Sequence, residues 1–227
     1  MSELYDQAHR SFQDQHDSRR LADRLESMAH SEFAPTDREF IERSVMFFLA
    51  TVDVRGRSTV FYKGGVPGFV RVIALSELVF PVYDGNGMFL SLGNIAGRAH
   101  IGMLFIDFQS PRRLRVQGIA RIIPTDDLAP HFPGAQHMVR VRAEQIFVNC
   151  GRYIHKVDTQ TLSPHVPDAA GHQPFPAWKR IDMIADSLCE SDRERVTQAG
   201  GRIPIETYPG EDDVAASAAG VTREDLK

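Results

Sequence analysis

The sequence has little of several features that would place it in particular protein classes. It contains only two cysteines, Cys150 and Cys189, which lie in different segments and form no CxxC pair, so no disulfide framework is expected. No apolar run approaches the length that crosses a bilayer, and the N-terminal residues lack the apolar core of a signal peptide. A reducing compartment, the cytoplasm, is therefore the predicted location.

The net charge and the spacing of the histidines argue against several kinds of binding partner. The chain has 227 residues and a formal net charge of −4 at pH 7, so it has no excess of positive charge for nucleic acid or for an anionic membrane. Its nine histidines are scattered without an HxH or HExxH spacing, and no metal site is expected. Small molecules or other protein chains are the expected partners.

The apolar content, 42% of the chain, is enough for one substantial core. We predict an N-terminal helical arm over residues 1–35, a barrel-like domain over residues 36–160, and a loop and helix extension over residues 161–227. Short apolar or alternating runs, separated by turn residues, predict about six strands with hairpin connections in an antiparallel, barrel-like sheet. The runs are Phe47–Asp53, Ser58–Lys63, Phe69–Leu75, Leu78–Tyr83, Ile101–Asp107, Arg113–Ile123 and Met138–Cys150, with further helices at Thr36–Ser44 and Trp178–Ser187.

The stretch from residue 78 to residue 107 is the most informative about a ligand site. A predicted strand leads into the turn Asp84-Gly85-Asn86-Gly87, a short helix ends at Gly97, and another strand follows. Gly85 and Gly87 let backbone amides approach a ligand, and the helix behind them begins with unpaired amides and a positive dipole end. The pattern predicts an anion site, with an ordinary tight turn as the alternative.

Polar side chains on or near this helix add to the expected site. Asn86, Ser91 and Asn94 supply neutral donors on one side of it. Lys63 precedes two glycines and is either a cation that reaches a ligand or a solvated one. Arg71 lies in the apolar sequence Val-Arg-Val-Ile, where an unpaired charge is costly, so it needs either a phosphate or a carboxylate such as Asp84 or Glu77 as its partner.

Five segments considered together carry a family resemblance. They are LATVDVRGRSTV, KGGVPGFVRVI, FPVYDGNGMFLSLGNI, GMLFIDFQSPRRLRVQGIARI and FVNCGRYIHK, within roughly residues 40–160. They resemble the pyridoxamine 5′-phosphate oxidase-like, FMN-binding split-barrel superfamily, and more narrowly its branch of predicted flavin-nucleotide-binding proteins. The resemblance implies a mainly β fold, a six-stranded antiparallel split β-barrel with a short internal helix and peripheral helices. It also implies an obligate homodimer with two FMN sites at the subunit interface.

The resemblance assigns roles to several residues by position. Arg71 stands where a basic residue of the family reaches the flavin phosphate, and Arg113 stands where a side chain of a neighbouring strand touches the flavin. Backbone of the family lies along the flavin ring at Pro81, Val82 and Tyr83. With the residues singled out above, the expected cofactor-binding set is Lys63, Arg71, Pro81, Val82, Tyr83, Asp84, Asn86, Gly87, Ser91, Asn94 and Arg113.

One departure from the family pattern limits the functional expectation. Pyridoxamine-phosphate oxidases carry an Arg-Lys pair at the start of the internal helix, where this chain has Leu90 and Ser91. This argues against pyridoxamine-phosphate oxidation, and no catalytic side chain is assigned. The implied function is an FMN-dependent oxidoreductase acting on a small substrate. The alternatives are a flavin carrier without turnover, or the same fold with deazaflavin or haem; for haem, His100 and His155 are the histidines to consider.

Overall fold

The structure is a computed structural model that describes residues 2–123, 128–151, 153–157 and 162–208. The chain divides into two compact units, residues 1–162 and 163–227. The first unit contains three helices before the sheet, one helix within it, and all seven strands of that sheet. The helices are α1 Gln7–Gln15, α2 Arg19–Glu26, α3 Pro35–Arg43 and α4 Leu90–Gly97; the strands are β1 Met46–Val52, β2 Ser58–Gly64, β3 Arg71–Ala74, β4 Glu77–Val82, β5 His100–Asp107, β6 Arg112–Ile123 and β7 His137–Val148.

The strands form one antiparallel sheet in the order β2-β1-β5-β6-β7-β4-β3. Within the described residues the two end strands, β2 and β3, are not paired with each other, so the rolled sheet is not closed by hydrogen bonds. The predicted mainly β fold with a short internal helix is confirmed. Each of the seven runs singled out in the sequence contains or overlaps one strand, including the four-residue β3 within Phe69–Leu75, so the count of about six strands was one too low.

The core lies on the concave side of the sheet and is rich in phenylalanine. The ring of Phe47 is 5.1 Å from that of Phe80 and 5.2 Å from that of Phe105, measured between centroids, and all three side chains are fully buried. Burial of such a side chain stabilises the fold by about 1.5–3 kcal/mol. Helix α4 packs on this core through Leu92 and Ile95, which fixes the position of its N-terminus.

The N-terminal arm is attached to the sheet at His30. Its backbone exchanges two hydrogen bonds with Ile146 of β7, at 3.1 and 2.7 Å. Its imidazole Nε2 lies 2.7 Å from Oδ2 of Asp37, a buried carboxylate at the start of α3. The arm therefore joins the strand and the helix through one residue.

In the second unit the predicted helix Trp178–Ser187 is wrong. Two short 3₁₀ helices, Ala177–Arg180 and Asp182–Ser187, are separated by Ile181, whose backbone is extended. The backbone on either side of Ile181 hydrogen-bonds to Ile203 instead of continuing a helix: Ile203 N–H donates to the Arg180 carbonyl at 2.9 Å, and Asp182 N–H donates to the Ile203 carbonyl at 3.0 Å. A helix α5, Glu190–Gln198, follows. No helix in the described part of the chain is long and apolar enough to cross a membrane.

A candidate anion-binding pocket at the start of helix α4

A pocket of about 150 Å³ lies where β2, the end of β4 and the start of α4 meet. Two side chains of strand β2, at alternate positions, line the pocket. The last residue of β4 and the residue that follows this strand line it as well. The other lining residues belong to the Gly-rich turn and to the first residues of α4. The lining residues are Phe61, Lys63, Val82, Tyr83, Gly85, Asn86, Gly87, Met88, Phe89, Leu90, Ser91 and Leu92.

The turn that leads into α4 uses two residues in the left-handed region. Gly87 has φ of 77° and Phe89, which precedes the helix, has φ of 48°. Glycine adopts this conformation freely, whereas an L-residue such as phenylalanine is strained there by about 1–2 kcal/mol. The Asn86 side chain accepts a hydrogen bond from Met88 N–H at 3.1 Å, and the Phe89 ring meets His137 edge-on at 5.9 Å. These contacts hold the turn against the strain.

Lys63 supplies the cation of the pocket. Its Nζ donates to Oγ of Ser91 at 3.1 Å and lies 5.7 Å from the centre of the Phe61 ring. Within the described residues Lys63 forms no ion pair, and burial lowers the pKa of its ammonium group. A half-buried ammonium group that has no carboxylate partner among the described residues favours binding of an anion, which would stabilise its charged form.

The backbone at the start of α4, beside Lys63, also favours binding of an anion. Helix α4 begins at Leu90, and the amides of its first turn have no partner within the helix. Ser91 lies in this first turn and accepts a hydrogen bond from Lys63, so the positive dipole end of the helix and the ammonium group are adjacent. A phosphate in this pocket would therefore meet one cation, backbone amides and the Ser91 hydroxyl.

The rest of the lining suits a less polar group. Burial raises the pKa of the Tyr83 phenol, which therefore remains an O–H donor at neutral pH. The pocket lip, defined as Met88, Phe89 and Leu90, consists of three consecutive apolar side chains that are 62%, 51% and 46% exposed. Three such side chains in a row offer contact area to an apolar or aromatic part of a ligand.

The structure brings six of the predicted site residues into the pocket lining: Lys63, Val82, Tyr83, Asn86, Gly87 and Ser91. Three others are nearby in sequence but do not line the pocket. Asn94 donates to Oγ1 of Thr51 at 2.8 Å, Asp84 accepts from Gln136 at 3.2 Å, and Pro81 is buried in β4 opposite Met138.

Neither predicted arginine lines this pocket. Arg71 Nε donates to the Gly68 carbonyl at 3.3 Å, and its guanidinium group lies 5.1 Å from the centre of the Phe132 ring. Of the carboxylates that were the alternative to a phosphate, Glu77 pairs with Arg140 at 3.5 Å and, within the described residues, not with Arg71. Arg113 lies on the convex face of the sheet, away from the core.

Sequence reasoning missed the contributions of Phe61, Met88 and Leu90, whereas Phe89 was considered as an aromatic residue that either stacks on a flavin or belongs to the core. Phe61 is two residues before Lys63 in β2, so strand alternation places both on one face, and this signal was available. Met88 and Leu90 gave no such signal, because their exposure depends on how the turn meets α4. The two histidines considered as haem ligands, His100 and His155, are exposed and do not line the pocket. In the described residues no three His, Cys, Asp or Glu side chains are placed to hold a metal ion.

Comparison with known proteins decides the family. The family model described as pyridoxamine 5′-phosphate oxidase matches residues 33–162, which is more than half of the chain and includes the sheet, α4 and the whole pocket. This chain belongs to the pyridoxamine 5′-phosphate oxidase family. A comparison with curated proteins gave no match.

Several solved structures are similar to the family domain of this chain. HupZ of Group A Streptococcus is 17% identical, with a TM-score of 0.43, over 51% of this chain and 93% of its own. A putative pyridoxamine 5′-phosphate oxidase from Lactobacillus delbrueckii is 23% identical, with a TM-score of 0.42, over 52% of this chain and 95% of its own. HutZ, a heme storage protein from Vibrio cholerae, is 18% identical, with a TM-score of 0.39, over 52% and 94% of the two chains.

Proposed function

We propose that this protein binds FMN with its phosphate in the pocket at the start of α4 and acts as an FMN-dependent oxidoreductase on a small substrate. The observation that carries the proposal is the contact between Lys63 Nζ and Ser91 Oγ, at 3.1 Å. It puts a cation that has no carboxylate partner in the described part of the chain at the first turn of α4, in a member of the pyridoxamine 5′-phosphate oxidase family.

Lys63 offers a substitute for the family's missing cations. Where pyridoxamine-phosphate oxidases have an Arg-Lys pair at the start of the helix, this chain has Leu90 and Ser91, neither of which is charged. The ammonium group comes instead from the neighbouring strand β2 and meets the second of these two positions. A charge-assisted hydrogen bond contributes about 1.5–3 kcal/mol, so one cation supports phosphate binding, although less strongly than two.

The residues present fit FMN in other respects. Tyr83 supplies a phenol O–H, and the pocket lip supplies apolar surface for an aromatic ring system. The cavity of about 150 Å³ holds a phosphate and the start of its chain, but ligand pockets that enclose a whole cofactor have about 300 Å³ or more. A second protomer that completes the site resolves this mismatch, which supports the homodimer with the cofactor at the subunit interface.

When bound, FMN supplies hydride or electron transfer at its ring system, and the protein binds and orients it. Lys63 and Tyr83 are the only side chains of the pocket lining with a titratable proton, and we assign both to binding and neither to proton transfer. This is consistent with an enzyme in which the cofactor performs the chemistry. The missing Arg-Lys pair argues that the substrate is not pyridoxamine phosphate.

Two alternatives remain distinguishable from the main proposal. A flavin carrier would bind FMN in the same pocket and show no steady-state oxidation of NADH or NADPH. A deazaflavin or haem protein would have the absorption spectrum of that group. Haem has less support here, because neither His100 nor His155 lines the pocket.

The test is a binding titration with FMN and with riboflavin, which lacks the phosphate, followed by desalting and an absorption spectrum. Wild type should retain FMN and bind it at least about tenfold more tightly than riboflavin. Lys63→Gln should lose most of that difference, because it removes the ammonium group that contacts the phosphate. Lys156→Gln, which changes an exposed lysine, is the matched control. Equal affinities for FMN and riboflavin in wild type would overturn the phosphate assignment, and no binding of either would overturn the flavin function.

A further inference from the structure

Helix α4, whose start forms the anion pocket, has little stability of its own. It has only eight residues, Leu90–Gly97, and its interior contains Gly93. A helix of this length is marginal in water, and an interior glycine costs about 1 kcal/mol relative to alanine. Phe89, at the N-cap, offers no side-chain acceptor to the amides of the first turn. The direction of these amides is therefore set by the contacts of α4 with the sheet.

One of these contacts is a hydrogen bond to a buried hydroxyl of β1. Asn94 Nδ2 donates to Thr51 Oγ1 at 2.8 Å, across 43 positions of the chain. Thr51 is only 1% exposed and shares a face of β1 with Phe47 and Leu49, which are fully buried. A buried hydroxyl is costly unless it is paired, and a valine would fill nearly the same space without that cost. The threonine is therefore explained by the side-chain amide of Asn94.

This hydrogen bond controls what apolar packing alone leaves free. Leu92 and Ile95 hold α4 on the core, but apolar contacts are non-directional. Ser91 and Asn94 are three positions apart, so they lie on one side of the helix. A bond from Asn94 to β1 therefore also fixes the direction in which Ser91 faces, and Ser91 meets Lys63 of β2.

We propose that Thr51 is a positioning residue of the anion pocket: through Asn94, it orients the first turn of α4 toward the ammonium group of Lys63. Thr51 does not line the pocket, so it acts through α4 and not by contact with a ligand. Its effect on FMN rests on the proposed function, and it concerns the phosphate and not the ring system. The contribution of the phosphate to FMN affinity then depends on a hydroxyl buried beneath α4.

Titration of the full chain with FMN and with riboflavin tests the proposal. Thr51→Val keeps the shape of the side chain and removes the acceptor of Asn94, so the ratio of the two affinities should fall about threefold or more. Thr51→Ser keeps the hydroxyl and should keep the ratio. Thr59→Val, the matched control, makes the same change at the exposed threonine that lies opposite Thr51 in β2, and should also keep it.

A second variant, Asn94→Ala, separates positioning from helix stability. Alanine is a better helix former than asparagine, so a role in helix stability alone predicts that the ratio is kept. A positioning role predicts the same fall as in Thr51→Val. The double variant should then lose no more than either single variant, because both substitutions remove one hydrogen bond.

Amide hydrogen exchange gives a measurement that needs no flavin. The Gly93 N–H closes the first turn of α4 by donating to the Phe89 carbonyl at 2.8 Å. Its exchange should be at least about threefold faster in Thr51→Val than in wild type, because the turn is held less firmly. The amide of Met103, in the neighbouring strand β5, should exchange at the same rate in both proteins.

The outcomes keep this proposal apart from the flavin function. Equal wild-type affinities for FMN and riboflavin overturn the phosphate assignment, and faster Gly93 exchange in Thr51→Val then still supports the positioning role. A wild-type preference for FMN that Thr51→Val retains in full overturns the positioning role and leaves the flavin function standing. Parallel loss of both ligands at an unchanged ratio also overturns it, because Thr51 then stabilises only the fold. A ratio that falls in Thr51→Val but not in Asn94→Ala overturns the role of Asn94 as the link.

Discussion

Lys63 shows how much of the site could be read from single residues. The sequence left it either solvated or reaching a ligand, because the following glycines fit both. The register of β2 against β1 places Lys63 opposite the fully buried Phe47, so its side chain is half-buried and not a fully solvated one, and its contact with a ligand stays a prediction. That register depends on the whole hairpin packing on the core, which no local pattern around Lys63 contains.

Arg71 is the opposite case at the same scale. Its apolar neighbours correctly indicated a charge that is partly withdrawn from water. The missing step was that backbone carbonyls and an aromatic ring are also partners for a guanidinium group, and Arg71 uses Gly68, His131 and Phe132 in this way. Its role at the flavin phosphate stays a prediction, and we expect Lys63→Gln to weaken FMN binding more than Arg71→Gln does.

FMN affinity should depend on pH through Lys63. The phosphate of FMN is largely a dianion above pH 7, because its second pKa is about 6, and only the protonated ammonium group attracts it. Burial lowers the pKa of Lys63 below the ordinary 10.5. Affinity should therefore be highest near neutral pH and should fall as pH rises through this lowered pKa, before pH 10.5 is reached. Titrations from pH 7 to 10.5, the upper limit of the lowered pKa, measure it.

The control for this pH dependence is Lys63→Gln with the same ligand. It carries no charge at any pH, so its weaker affinity should stay constant over the range, and any titration of the flavin itself cancels in the comparison. A wild-type affinity that is equally flat would mean that Lys63 does not contact the phosphate.

At the scale of elements, the strands and α4 followed from sequence, because alternation and glycine placement are local signals. Strand β6 is the clearest example: Leu114, Val116 and Ala120 are buried, while charged residues alternate with the first two. The predicted helix Trp178–Ser187 failed for a nonlocal reason. Its apolar spacing was helical, but the backbone of Ile203, more than 20 positions later, hydrogen-bonds to the backbone of Arg180 and Asp182, on either side of Ile181.

One interruption of the sheet yields a stability prediction. The β6–β7 register shifts between Gln117 and Gly118, and a Cβ at Gly118 would overlap the Arg142 carbonyl of β7. Backbone cannot move aside as a side chain does, so Gly118→Ala should lower the free energy of unfolding by about 2 kcal/mol or more. Gly102→Ala, on the neighbouring β5, is the control: its nearest neighbour would be the Ala50 Cβ at 3.8 Å.

Urea unfolding followed by circular dichroism measures both glycine variants. Gly102→Ala should change the free energy of unfolding by less than about 1 kcal/mol in either direction. Similar values for the two substitutions would mean that the shift in register tolerates a side chain and that Gly118 has no special role.

At the scale of the whole molecule, local patterns indicated an antiparallel sheet but not its strand order. Strands β2, β1 and β5 are neighbours although β3, β4 and α4 lie between β2 and β5 in sequence. That crossover brings Lys63 of β2 to Ser91 of α4, 28 positions later, and so creates the pocket. The family resemblance supplied the split-barrel fold but not this strand order, and hydrophobic periodicity does not specify which strands pair.

The convex face of the sheet provides the last prediction, on the proposed homodimer. Val60 and Tyr62 of β2 are 63% and 64% exposed, and half-buried Phe48 and Leu104 lie in line with Tyr62 on the neighbouring strands. Contiguous exposed apolar side chains mark an interaction surface, and we expect a second copy to cover them. Val60→Asp should then shift the protein from dimer to monomer in sedimentation equilibrium.

The same variant tests whether the cofactor site needs both protomers. Because the cavity of one chain is only about 150 Å³, monomeric Val60→Asp should bind FMN at least about tenfold more weakly than wild type, although Lys63 is intact. Val54→Asp places the same charge at an equally exposed valine in the β1–β2 turn and should keep both the dimer and the affinity. A monomeric variant with unchanged FMN affinity would show that one chain suffices, and would move the flavin ring from the subunit interface to the pocket lip of a single protomer.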